Sequence, residues 1–175
     1  MNNRFFGYVA LCLAANCNAA FALESHCEDE AQAVFNCRLD KSDKVVSVCK
    51  IGPELDDQQY LQYIFGEIGK PELVYPKEKR VRAGQFSFSR QYDDFAGYLS
   101  YDLTFINGRN TYRIYWVESS KTDGVPMEKS EISGGVNVVS SSGKSIDLSC
   151  GEDMAEDLMS AATTFVRNVK WVEEQ

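Results

Sequence analysis

The segment from Tyr98 to Glu118 constrains the fold most, because apolar and polar residues alternate on both sides of Asn107-Gly108. Asn-Gly suits a two-residue type I′ turn, in which both central residues take positive φ. Such a turn pairs residue 103 with 112, 101 with 114 and 99 with 116, so that one face of the hairpin is apolar. This face consists of Leu99, Tyr101, Leu103, Tyr112, Ile114 and Trp116.

The other face of this predicted hairpin is polar and matched in charge. The same register places Asp102 opposite Arg113 and Thr104 opposite Thr111. The apolar face and the polar face both favour this register, because a shift of one residue in the pairing would turn each side chain of the shifted strand to the other face. A stripe of rings can also line a ligand pocket, but packing is the more common role. We therefore expect burial of Leu99, Leu103, Ile114 and Trp116.

Short runs rich in β-branched and aromatic residues recur up to the last cysteine. Turn-forming pairs such as Gly52-Pro53, Gly134-Gly135 and Ser142-Gly143 separate them. The connections are too short for helical crossovers, so we expect an antiparallel β-sandwich or barrel. The predicted strands are 34–39, 45–51, 60–65, 72–75, 85–92, 98–106, 111–118, 127–132, 136–140 and 146–150.

The chain changes character after Cys150. Glu152, Asp153, Glu156 and Asp157 suit the N-terminus of a helix, where negative charge is favourable. Apolar residues then recur at helical spacing, which predicts an amphipathic C-terminal α-helix to about Arg167. The apolar positions are Met154, Leu158, Ala161, Phe165, Val169 and Val172.

The first 22 residues have the pattern of a removable export signal. Arg4 supplies a positive start, residues 5–15 form an apolar stretch, and Ala20-Phe21-Ala22 matches the small-x-small cleavage site. We therefore expect a single β-rich domain over residues 23–175, which begins at Leu23 and is periplasmic or secreted.

Neither a membrane nor a nucleic acid is an expected partner. The apolar stretch is shorter than the roughly 20 residues that a membrane helix needs. Neither Cys12 nor Cys17 follows the small residue that a lipidation signal requires, so we expect no membrane anchor. The formal net charge is −8, and every acidic residue lies after residue 22. Such a surface repels nucleic acid and anionic lipid, and it either confers solubility alone or attracts a basic protein.

Four cysteines follow the signal: Cys27, Cys37, Cys49 and Cys150. An even number in an exported chain indicates disulfides, and no Cys-x-x-Cys pair suggests a metal site. If the strands around Cys37 and Cys49 form a hairpin in which these two residues face each other, the neighbouring apolar residues share their face. This register predicts a Cys37–Cys49 bond and leaves Cys27 to pair with Cys150.

No sequence motif points to catalysis or to a cofactor. His26 is the only histidine, which leaves little basis for Ser-His or Cys-His chemistry. Ser141-Ser142-Gly143-Lys144 matches S-x-x-K but lies in a predicted turn. Gly143-Lys144-Ser145 lacks the preceding glycine of a phosphate loop, where Val138 stands. We expect no enzymatic activity, no cofactor and no bound metal.

Two aspartate pairs, Asp56-Asp57 and Asp93-Asp94, are the remaining polar candidates. Neither pair belongs to an Asp-x-Asp-x-Asp-Gly calcium loop, so solvated loops are favoured over general acid-base chemistry. The second pair stands between rings in Tyr92-Asp93-Asp94-Phe95, which suits anchoring contacts with a basic protein surface. We predict this loop as the partner-binding site, with Lys121-Thr122-Asp123-Gly124 as its rival and plain solvated connections as the alternative for both.

Several segments resemble a group of uncharacterised exported proteobacterial proteins. They are Phe35-Asn36-Cys37, Val46-Ser47-Val48-Cys49, Tyr60-Leu61-Gln62-Tyr63-Ile64-Phe65-Gly66 and Glu72-Leu73-Val74-Tyr75-Pro76. The layout is also similar to the periplasmic inhibitors of C-type lysozymes, which are small exported antiparallel β-barrels that obstruct the lysozyme cleft with loop residues. Their inhibitory segment is most similar to residues 87–92, but no Lys-Gly follows here, so their inhibitory residues are not carried over.

Together these features favour an exported binding protein whose partner is another protein with a basic surface. An inhibitor or immunity-type protein that acts on a cationic enzyme, such as a cell-wall hydrolase, fits the acidity. The alternatives are a small-ligand carrier for lipids or wall fragments, which requires an open pocket, and a carboxylate-based hydrolase.

Overall fold

The computed structural model describes residues 23–28, 33–52, 59–78, 83–122, 125–158 and 169–172. The predicted export signal and the Asp56-Asp57 pair lie outside these ranges. The described residues form ten β-strands in one sheet. The strands are β1 (Ala33–Leu39), β2 (Lys44–Ile51), β3 (Tyr60–Glu67), β4 (Lys70–Tyr75), β5 (Phe86–Asp93), β6 (Tyr98–Asn107), β7 (Asn110–Thr122), β8 (Val125–Ser140), β9 (Ser145–Glu156) and β10 (Val169–Trp171).

The order of strands in the sheet is β10-β5-β6-β7-β8-β9-β1-β2-β3-β4. Most neighbours are antiparallel, as predicted, whereas β10 runs parallel to β5. The predicted runs 127–132 and 136–140 belong to one long strand, β8. The β-rich class expected from the sequence is therefore confirmed.

The sequence predicted an antiparallel β-sandwich or barrel, and the one sheet of the described residues curls into a half-barrel. Its two ends meet in an aromatic core, where the ring of Tyr63 lies 5.0 Å from that of Phe105. Leu103 and Ile114 are fully buried in this core, as expected. Leu99 and Trp116, which were also expected to be buried, are only partly buried.

The hairpin of β6 and β7 has the predicted faces but not the predicted register. Asn107 pairs with Asn110, so Gly108 and Arg109 form the turn instead of Asn107 and Gly108. Gly108 has a φ of 63°, and of the described non-glycine residues only Lys41 has a positive φ. A type II′ turn needs positive φ only at its first central residue, which glycine supplies. The pairing register is therefore shifted by two residues, and because this shift is even, the same residues still form the apolar face.

The two disulfides join Cys27 to Cys49 and Cys37 to Cys150, so the predicted pairing is wrong. The β1–β2 turn is centred one and a half residues earlier than expected, between Lys41, which has a φ of 56°, and Ser42. Cys37 therefore lies opposite Val46, and the odd shift of three residues turns Cys37 and Cys49 to opposite faces. Cys37 faces the core and the adjacent strand β9. Two such bonds indicate an oxidising, extracellular-type environment.

Residues 23–28, the N-terminal strap, cover the outer face of β1 and β2. The backbone N–H of His26 donates to Ser47 Oγ at 3.0 Å, and Asn36 Nδ2 donates to the Glu24 carbonyl at 3.0 Å. Glu24 also forms an ion pair with Arg38. The strap thus brings Cys27 onto the face where Cys49 is found.

The first part of the predicted C-terminal helix is a strand in the structure. Residues 152–156 belong to β9, and residues 154–156 pair with β1, with Glu156 opposite Phe35. Pairing with β1 satisfies the backbone here, which overrides the local helix preference of an acidic segment. Residues 159–168 lie outside the described part of the chain. No helix among the described residues is long and apolar enough to cross a membrane.

Candidate functional site

The predicted partner-binding loop, residues 92–95, connects the C-terminal end of β5 to the N-terminal end of β6. Tyr92 and Asp93 complete β5, while Asp94 and Phe95 lie in the turn. The side chain of Phe95 is 84% exposed and that of Tyr92 is 62% exposed. Exposed rings at a loop tip can gain contact area on binding, and aromatic residues are frequent anchors of interfaces.

The two carboxylates of the 92–95 loop have different local partners. The backbone N–H of Ala96 donates to Asp93 Oδ1 at 3.0 Å, so Asp93 holds the turn. Tyr92 Oη donates to Asp94 Oδ1 at 3.1 Å, and this hydrogen bond, together with the negative charge of Asp94, raises the pKa of Tyr92. The Arg90 guanidinium lies 5.7 Å from the centre of the Tyr92 ring. The loop therefore presents two carboxylates and an oriented ring at an exposed tip.

The rival loop lies beside the first one. Gly97, the last residue of the turn, accepts hydrogen bonds from the backbone N–H of Ser120 at 2.8 Å and from its hydroxyl at 3.1 Å. The β7–β8 hairpin continues past this point to Thr122 and Val125, and Val125 is exposed. Asp123 and Gly124 lie outside the described residues. The structure thus places both predicted loops side by side, where the β5–β6 and β7–β8 connections are found.

The outer face of the β6–β7 hairpin carries a polar network. Arg113 Nε contacts Asp102 Oδ1 at 3.0 Å, but the pair is diagonal, because Arg113 lies opposite Thr104 and not opposite Asp102. The predicted Thr104–Thr111 pair is therefore wrong. Tyr115 Oη donates to Asp147 Oδ2 at 2.9 Å. Burial is the main cause that raises the pKa of Tyr115, and this hydrogen bond is the second. The network joins three strands.

The residues that were considered for catalysis lie in the N-terminal strap and in a turn. His26 lies in the strap, with Nε2 3.1 Å from the Gly66 carbonyl oxygen. The Ser141–Lys144 segment forms the β8–β9 turn, and the N–H of Gly143 donates to Ser140. No group of three or more His, Cys, Asp or Glu residues within the described ranges could hold a metal ion.

A cleft of about 640 Å³, which we call the fork cleft, opens where β8 and β9 separate. The two strands pair only as far as Gly135 and Ser149. Beyond that point β8 continues beside β7, whereas β9 turns to β1 with an irregular stretch opposite Cys37 and Leu39. Irregular pairing of this kind re-aims side chains and is common near binding sites. The cleft walls include Asp40, Trp116, Ile132, Glu152, Met154 and Glu156.

Two glycines permit the close packing at the base of the fork cleft. A Cβ atom at Gly134 would collide with Sδ of Met154, and one at Gly135 would lie 2.9 Å from Tyr115 Oη. The sequence indicated a turn at Gly134-Gly135 and a helix at Met154, so it did not predict this cleft. A glycine pair inside a strand also signals close approach of a neighbour, which is the signal that could have identified the site.

Comparison of the chain with protein-family models, with curated proteins and with solved structures finds no match. The resemblances to exported proteobacterial proteins and to lysozyme inhibitors therefore remain predictions.

Proposed function

We propose that this protein is an exported binding protein that recognises a protein with a basic surface. Its role would be that of an inhibitor or immunity-type protein acting on a cationic enzyme such as a cell-wall hydrolase. The 92–95 loop carries this proposal, because it combines two exposed rings with two carboxylates at one tip.

The charge of the chain supports such a partner. A formal net charge of −8 attracts a cationic protein over distances comparable to the Debye length, about 8 Å at physiological ionic strength. Charge complementarity accelerates encounter, while rings such as Phe95 supply contact area that slows dissociation. The acidity and the exposed rings therefore have complementary roles.

The covalent structure agrees with an extracellular-type location. The two disulfides need an oxidising compartment. We propose the periplasm as the compartment, and we expect no catalytic activity of its own.

The test is affinity capture from whole-cell extract at low ionic strength, followed by binding measurements with the purified partner. The variant is Asp93→Asn with Asp94→Asn, which removes both charges but keeps the oxygens that accept from Ala96 and Tyr92. We expect weaker binding with a nearly unchanged melting temperature.

The matched control is Asp43→Asn with Glu78→Gln, which removes two exposed charges elsewhere. Equal loss of binding in the control and in the loop variant would contradict a role for the loop, as would unaltered affinity in the loop variant.

The fork cleft favours a second candidate function, that of a small-ligand carrier. Its volume of about 640 Å³ lies within the range of small-molecule sites, and Trp116, Ile132 and Met154 give it apolar walls. Thermal-shift screening of lipids and cell-wall fragments tests this candidate. A stabilising ligand that leaves partner binding unchanged would favour the carrier.

A further inference from the structure

The charged residues that line the fork cleft are all acidic. Among its lining residues Asp40, Glu152 and Glu156 are acidic, and none is Lys, Arg or His. Asp40 already forms an ion pair with Lys41 at 3.3 Å. Neither Glu152 nor Glu156 forms an ion pair with any other described residue, so no counter-charge from the described part of the chain neutralises these two carboxylates.

Glu156 is the more buried of these two carboxylates. It lies opposite Phe35 on β1, and its Oε1 accepts a hydrogen bond from the Leu158 N–H at 2.6 Å. Burial raises the pKa of Glu156 despite that hydrogen bond. The ionised form is therefore less well solvated than in water, and the charge of a cation in the cleft would offset part of that cost.

The aromatic wall of the cleft suits a cation as well. Trp116 stacks on Tyr101 with ring centroids 5.5 Å apart, which fixes its orientation. Its cross-strand partner is Gly134, so no side chain from that position covers the ring, and Met154 packs there instead. The apolar stem of an arginine can lie along a tryptophan ring while its guanidinium donates to nearby carboxylates.

We propose that the fork cleft receives the side chain of an arginine from the protein partner, with its apolar stem against Trp116 and Met154 and its guanidinium toward Glu152 and Glu156. This inference rests on the proposed function, because it assigns a second contact of the same partner.

The sheet connects the cleft to the 92–95 loop. Tyr92 pairs with Leu99, Leu99 with Glu118, and Glu118 with Ile132, so one row of cross-strand neighbours runs from the loop to the cleft wall. Three strand spacings amount to about 14 Å. An interface of ordinary size, about 800 Å² on each partner, covers that distance. One partner can therefore contact the loop and the cleft together.

The test uses Trp171→Phe, which leaves Trp116 as the only tryptophan and retains a ring beside Phe88. Its fluorescence is titrated with butylguanidinium chloride and, as a neutral control, with butylurea. We expect a saturable change with the cation alone, and about tenfold weaker binding when Glu152→Gln and Glu156→Gln are added. The same titration of the otherwise native chain, followed by amide chemical shifts, replaces fluorescence if Trp171→Phe does not fold.

Three outcomes separate this inference from the proposed function. Absence of saturation, or equal responses to butylurea and butylguanidinium, would overturn the cleft assignment while partner binding through the loop persists. Cation binding combined with unchanged partner affinity in Glu152→Gln with Glu156→Gln would show a cleft for free cations and would also overturn it. Failure of the loop variants to affect partner binding would instead reject the proposed function.

Discussion

Tyr75 of β4 stacks on Phe105 of β6, with ring centroids 4.3 Å apart, although seven places in the strand order separate the two strands. The contact is possible because the sheet curls until β4 faces β5 and β6. Phe86 lies edge-on to both rings, at 5.7 Å from Tyr75 and 5.5 Å from Phe105. This aromatic cluster therefore holds the two ends of the sheet together.

Phe105→Ala should destabilise the fold by about 3 to 5 kcal/mol, because it leaves a cavity between the ends of the sheet. Ile106→Ala is the matched control, since the neighbouring Ile106 is 65% exposed and should cost at most about 1 kcal/mol. Urea unfolding measures both values. Similar losses for the two variants would contradict the curled arrangement.

Removal of the Cys37–Cys150 bond should cost more stability than removal of Cys27–Cys49. The bonds close sequence separations of 113 and 22 residues, which correspond to about 5 and about 3 kcal/mol in the chain-entropy treatment. Paired Cys→Ala variants compared by urea unfolding test this order. Non-reducing peptide mapping tests the pairing itself, and a Cys37–Cys49 peptide would refute the observed register.

Arg113→Met should destabilise the protein by about 1 to 3 kcal/mol, because the Asp102 carboxylate is nearly buried and loses its charged partner. Methionine preserves most of the apolar stem. Arg109→Met, in the exposed β6–β7 turn, removes the same charge without such a contact. A calorimetric comparison that found equal losses would exclude a structural role for the Arg113–Asp102 pair.

Glu156→Gln should stabilise the protein at neutral pH. Because burial raises the pKa of Glu156, the folded state holds this proton more tightly than the unfolded state. Stability then falls as pH rises from the unfolded pKa, about 4.3, through the higher folded pKa. The advantage of the variant should vanish below about pH 4.

Urea unfolding across pH measures this difference, and the exposed Glu131→Gln controls for the loss of one surface charge. A stability difference that did not change with pH would contradict the assigned burial effect.

Local patterns were sufficient to predict most of the strands and the faces of the β6–β7 hairpin. Leu103 and Ile114 were expected in the core because side chains alternate along a strand, and that alternation survives an even shift of register. The exact register depends on one turn residue, Gly108, whose positive φ is compatible with two turn positions. Turn composition alone does not distinguish them.

Features that depend on distant strands were not predictable in this way. Cys37 bonds to Cys150 because β9 happens to lie beside β1, a relationship absent from the sequence around either cysteine. The same pairing makes Glu156 part of a strand although its segment has the composition of a helix start. The 92–95 loop was identified correctly as an exposed connection, whereas the fork cleft follows from the divergence of β8 and β9.

The dependence of association rate on ionic strength tests the central claim most directly. With the captured basic partner in hand, stopped-flow or surface-binding kinetics would be compared for the wild type and for Asp93→Asn with Asp94→Asn. The account predicts that the wild-type association rate constant falls steeply as salt increases, while dissociation changes little, and that the loop variant associates more slowly with a weaker salt dependence. An association rate that is independent of salt, or identical for the two proteins, would contradict it.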